Sequence, residues 1–164
     1  MNRNMAIVSM CVLSSLPLMS MDTRKKTEVI IVHHSATSGG SVETIRRYHK
    51  EVNKWEDIGY HYVITNGNGG KDGVVHAGRS EELTGAHAGK GRNQNSLGVC
   101  LIGNDTFTEK QIEALTKHLA TLCVKHKITP SAKTIQRHHE ECPGNGIDLD
   151  KVIQKVKELM AEKS

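Results

Sequence analysis

Four consecutive apolar residues, Val29-Ile30-Ile31-Val32, run directly into His33-His34 and constrain the fold more than any other stretch. Side chains on a strand alternate between its two faces, so an unbroken apolar run must be covered on both. "EVIIVHH" therefore reads as a central strand of a layered sheet. A chain of 164 residues is one domain's worth, enough for a single real core. That core must be mostly aliphatic, because the aromatic residues are only Tyr48, Trp55, Tyr60, Tyr62 and Phe107.

The remaining pattern alternates strand and helix. Ile45, Tyr48, Val52 and Trp55 recur at helical spacing and predict a helix over 41–55 with that stripe inward. "YHYVIT" and "GVVHAGR" are strand-like runs joined by "NGNGGKDG", a hairpin signal. "SLGVCLIGN" reads as another buried strand. Thr108 followed by Gln111 forms a capping-box pattern ahead of the stripe Ile112, Leu115, Leu119 and Leu122. A short strand over 134–137 precedes a last helix, which Asp148 can cap and whose Leu149, Val152, Ile153, Val156 and Leu159 face inward. The expected fold is a single α/β domain with a central mixed β-sheet flanked by helices.

Residues 1–20 stand apart. One basic residue, Arg3, precedes an apolar stretch from Ala6 to Leu18 that is too short to span a bilayer. The segment reads as a secretory signal, which would make the protein secreted or periplasmic; the alternative is a start at Met21. Either way the working domain is 21–164 and no stable membrane insertion is expected. Net charge is +4, or +3 without Arg3, a mild balance that argues weakly for a polyanionic partner. Cys11 would leave with a signal, while Cys100 on a strand and Cys123 on a helix read as buried thiols, so no disulfide framework emerges.

The histidines carry the chemistry. A catalytic zinc typically takes three protein ligands and leaves a fourth position open. His33 ends the buried strand, and strand alternation keeps His33 and His34 from sharing one ion. In "TIQRHHEECPGN" (134–145), His138 likewise ends a strand and Cys142 returns four residues later before Pro143. A His₂Cys site is one reading. Surface or capping polarity for each histidine pair, with Cys142 as a buried thiol, is the other.

Six segments in order also resemble a family: "IIVHHSAT" (30–37), "WEDIGYHYVI" (55–64), "GVVHAGR" (73–79), "TGAHAGKGRNQNSLGVCLIGN" (84–104), "FTEKQIEAL" (107–115) and "RHHEECPG" (137–144). Together they resemble the zinc-dependent N-acetylmuramoyl-L-alanine amidases, a group that includes phage amidase-type lysozymes and peptidoglycan recognition proteins. The likeness extends over nearly everything from Val29 to Leu159.

It implies a Zn²⁺ held by His33, His138 and Cys142, with Tyr60 as a catalytic residue beside the metal. His87 is implied to line the substrate groove, Arg79 to contact substrate or serve as a structural ion pair, and Asn95, with Asn93 and Ser96, to position loops. His34, His61 and His139 are expected to support the ligands or the fold, and His49, His118 and His126 to be solvated on helices. The implied partner is peptidoglycan or its muropeptides, with no nucleic acid, and the implied state a monomer. Without a signal, the protein would be a lysin released from the cytoplasm.

Two departures from the family pattern stand out. Only His139, Glu140 and Glu141 separate the second histidine from Cys142, a shorter loop than is usual in relatives. Glu140 also stands where active relatives often carry Lys or Thr, and it or Glu141 is the candidate proton shuttle. The chief rival is a non-catalytic muropeptide-binding module. A structural zinc site in a nucleic-acid-binding domain would need a fourth ligand and a basic, aromatic surface, neither of which is evident.

Overall fold

In a computed structural model that describes residues 22–162, β1 (Val29–His34) runs parallel to two neighbours, β4 (Ser96–Leu101) and β5 (Ile135–Arg137). β2 (Tyr62–Ile64) adds in parallel beyond β4, and β3 (Val75–Ala77) pairs antiparallel with β2 as the hairpin signal predicts. The sheet order is β3-β2-β4-β1-β5, so the expected mixed sheet is the one found. The reading of residues 1–20 as a signal lies outside the described residues.

Both faces of β1 are covered. One face, with Ile30, Val32, Leu97, Val99, Leu101 and Ile135, packs against helices α2 (Glu109–His126) and α3 (Leu149–Ala161). Thr108 and Gln111 form the predicted capping box on α2. The buried Gln111 amide then donates to the carbonyls of Ile64 and Ile102, tying this helix start to the ends of β2 and β4. Asp148 caps α3 by accepting from the Lys151 amide.

The opposite face carries Val63, Cys100 and Ile102 against helix α1 (Val42–Glu51). Here the sequence reading needs correction. Tyr48 and Val52 are 56% and 60% exposed, whereas Val42 and His49 are buried. The helix stops at Glu51 and turns its Val42–Ile45–His49 edge inward, because the His49 Nδ1 accepts a 3.0 Å bond from the Gly59 amide and anchors the turn ahead of β2. Two other histidines expected in solvent are engaged as well. His118 packs edge-on against Tyr62, and His126 pairs with Glu81 at 2.6 Å.

Candidate metal centre

The carboxyl ends of parallel strands are where open α/β sheets place their ligands, and β1 and β5 end side by side. His33 is the fifth residue of β1, on the α1 face of the sheet, buried to 1% exposure. His138 follows directly on β5, its amide still in the ladder through the Val32 carbonyl at 3.3 Å. Cys142 is brought back by a tight loop in which His139 and Cys142 exchange two backbone hydrogen bonds, 3.3 and 3.1 Å. Arg137 clamps that loop from outside, donating to the carbonyls of Gly144 at 2.6 Å and of Glu140 and Ile147 at 3.3 Å.

These three side chains converge. One donor atom from each of His33, His138 and Cys142 lies within 4.8 Å of the others, and Cys142 Sγ is 3.9 Å from His33 Nδ1. A tetrahedral zinc with ordinary Zn–N and Zn–S bonds needs donors roughly 3.3–3.6 Å apart, so closing the set takes less than a rotamer change. Two imidazoles and a thiol are the donor chemistry that zinc prefers. Among the described residues the cluster has these three members, and it opens onto a cavity of about 830 Å³ lined also by His34, Tyr60, Asp105, His139, Glu140 and Glu141.

Burial sets the electrostatics. It holds the His33 imidazole well below its ordinary pKa, with the neighbouring His87 and His138 adding to the effect, so the ring stays neutral. Burial likewise raises the Cys142 thiol. It also pushes the Tyr60 phenol far above its usual range, aided by the thiols of Cys100 and Cys142. Tyr60 stands 5.0 Å from His33, ring centre to ring centre, and keeps its proton.

Glu140 stands on the cavity rim, as expected, whereas His87, Arg79 and Asn95 do not line the cavity. His87 is buried behind His33, its Nδ1 3.0 Å from the His33 Nε2. Arg79 is buried with its guanidinium on the carbonyls of Ile58, Thr84 and Asp57, which makes it a clamp between loops. Asn95 sits at the amino end of β4, at the far end of the sheet from His33 and His138, bonded to Glu28 at 2.9 Å. Asn93 holds the backbone of the histidine loop, its Oδ1 accepting from the amides of His87 and Ala88. His61 is fully buried and structural, accepting from the Gly98 amide at 3.0 Å and bonded to the Leu83 carbonyl at 3.1 Å.

Reasoning from sequence passed over two contributors. Gly98 is one, since a Cβ there would lie 2.6 Å from the His87 ring; a glycine inside an apolar strand run is the signal that a side chain lies flat on it. Arg92 is the other, donating to the His138 carbonyl at 2.9 Å, and nothing in "GKGRNQNS" marks it.

The model of the N-acetylmuramoyl-L-alanine amidase family matches residues 23–145, most of the chain and all three converging residues. The chain belongs to that family. Among its relatives, the endolysin of Escherichia phage T7 is 40% identical over 131 residues, spanning 73% of this chain and 80% of that protein. Peptidoglycan-recognition protein SC2 of Drosophila melanogaster is 33% identical over 132 residues, spanning 71% of this chain and 68% of that one. In three dimensions the amidase resembles N-acetylmuramoyl-L-alanine amidase LysC from Clostridium intestinale URNW, with a TM-score of 0.70, 29% identity, and coverage of 80% of this chain and 86% of that one.

Proposed function

We propose that His33, His138 and Cys142 hold one zinc ion, and that this centre hydrolyses the amide between the lactyl group of N-acetylmuramic acid and L-alanine in peptidoglycan. The observation that carries the reading is the three-donor set open on one side to a cavity with a protonated tyrosine in its wall. A structural zinc would instead be closed by a fourth ligand.

Amides resist attack because resonance lowers the electrophilicity of the carbonyl and the amine leaves poorly. Zinc in such a site polarises the carbonyl and lowers the pKa of water toward ~7. The chain's own groups supply the rest. Neutral imidazoles leave the site's positive charge intact, and Cys142 gives up its proton as metal binds, which makes metal affinity fall in acid. Tyr60, held protonated by burial, donates a hydrogen bond to the oxyanion that develops on the carbonyl, an interaction worth roughly 2–4 kcal/mol at such sites. Glu140, exposed on the cavity rim, takes the proton given up by the attacking water and carries it to the L-alanine amine as the C–N bond breaks.

Similarity to phage endolysins supports a lysin that reaches the wall from the cytoplasm. The deciding experiment incubates the purified protein with purified cell walls and follows turbidity, together with release of new L-alanine amino termini by mass analysis of the muropeptides. Release abolished by a chelator and restored by zinc is expected. Binding to walls without new amino termini identifies a recognition module instead.

A further inference from the structure

A line of hydrogen bonds runs inward from the proposed metal centre, and its polarity is fixed from the far end. The Arg92 carbonyl can only accept, so the Ser96 hydroxyl, 2.5 Å away, spends its single proton there. Toward His87 Nε2, at 3.4 Å, Ser96 Oγ is therefore the acceptor, and the Nε2 of His87 carries its hydrogen. A neutral imidazole has one N–H, so His87 Nδ1 is an acceptor for His33 Nε2 at 3.0 Å. His33 then carries its hydrogen on Nε2 and turns the Nδ1 lone pair toward Cys142 Sγ.

The ring that does this has no freedom. His87 lies against Gly98, crosses His33 edge-on with ring centres 5.0 Å apart, and is braced from behind by His61 at 5.5 Å. The two ends of the line also meet in one residue. Arg92 accepts from Ser96 through its carbonyl and donates through its guanidinium to the carbonyl of His138, the second proposed ligand.

We propose that His87 is a positioning residue of the metal centre: it fixes the tautomer and ring orientation of His33 so that Nδ1 faces the ion, with Ser96 and Arg92 setting its own polarity. This rests on the zinc reading above. A histidine ligand whose other nitrogen is hydrogen-bonded is oriented and made more basic, and loss of such a partner typically weakens metal binding about 10- to 100-fold. The role also explains why a histidine in the "GAHA" segment stands away from the cavity it serves.

The test measures zinc affinity by competition with a chromophoric chelator near neutral pH, alongside KM and kcat on muropeptides with zinc saturating. His87→Leu removes the acceptor and is expected to weaken zinc about 10- to 100-fold. His87→Asn places an amide oxygen near the original Nδ1 and is expected to restore most of that loss, with KM unchanged in the zinc-loaded protein. Unchanged zinc affinity in His87→Leu overturns the proposal, as does an equal loss in both variants. A raised KM at unaltered zinc affinity also overturns it and returns His87 to the substrate groove.

Should His87→Leu not fold by circular dichroism, Ser96→Ala carries the comparison, with several-fold weaker zinc expected and wild-type affinity overturning the assignment. A wild-type protein that binds no zinc defeats the metal centre itself. Wild-type binding with undiminished variants defeats only the role of His87.

Discussion

The two walls of the cavity are built on different principles. The inner wall is His33 on a central strand, its ring sealed from solvent and bonded on its far side to another buried imidazole. The outer wall is the 139–141 turn, whose His139, Glu140 and Glu141 are all exposed and which is held mainly through backbone carbonyls by Arg137. A buried ring cannot move without disturbing the sheet, whereas a solvent-exposed turn can change length as long as its two ends stay fixed. The three-residue loop between His138 and Cys142 falls in the outer wall, and the bridge between His139 and Cys142 returns the sulfur to His33. In the proposed metal site, variation is therefore expected to be tolerated on the side where backbone, not side-chain packing, sets the geometry.

The contrast can be broken most directly at the sulfur. Cys142→Ser exchanges a soft thiolate for a hydroxyl and is expected to lose tightly bound zinc, with hydrolysis falling to background; retention of zinc at unchanged affinity by metal analysis after gel filtration would place the third ligand elsewhere. Next in size is Tyr60→Phe, which keeps the ring packed near His33 but removes the donor. A fall in kcat of about 10²–10³-fold with zinc content unchanged is expected, and full activity would remove the oxyanion role. Glu140→Gln probes the outer wall. A positioned general acid contributes of order 10²-fold or more, so kcat should drop by about that factor with zinc content unchanged. If kcat survives, the proton leaves by another route, with Glu141→Gln as the variant to make next.

What the sequence revealed divides along the same line. β1 was legible because four apolar residues in a row allow only a strand covered on both faces, and α2 because Thr108 and Gln111 cap a clean stripe. The three converging residues were legible from their places at strand ends and before Pro143, together with the family likeness. The stripe of α1 misled, because Tyr48 and Val52 match helical periodicity while the inward edge is chosen by a polar contact, His49 to the Gly59 amide, that periodicity does not register. His87, Arg79 and Asn95 were each recognisable as special residues, but a motif shows only that a side chain has a fixed task. Whether it faces the cavity or the interior behind it depends on long-range packing, such as the flat surface of Gly98 beneath His87.

The smallest expected effect concerns the floor beneath the inner wall. His61 is buried with its pKa held down at about 4, by desolvation above all. Its Nδ1 faces the Gly98 N–H, so protonation would set two donors against each other. The unfolded chain protonates this ring near 6.5, so between pH 6.5 and about 4 the unfolded state binds the extra proton and stability falls as pH falls. The contribution is complete above 6.5 and gone below about 4, at a limiting slope of roughly 1.4 kcal/mol per pH unit. Glu81 titrates in a different window. Burial raises its carboxyl, but hydrogen bonds from Tyr62, Lys125 and His126 outweigh that and hold it at about 2, so its contribution fades only from about 4.5 downward. His61→Asn keeps an acceptor for Gly98 and cannot titrate. Compared in metal-free form by denaturant melts at a series of pH values, it should be less stable than wild type near neutrality yet lose less on acidification to about 4.5. Parallel pH dependences in the two proteins would mean that the ring's neutrality is not what the inner wall rests on, and that its hydrogen bonds survive protonation through a shift of the Gly98 backbone.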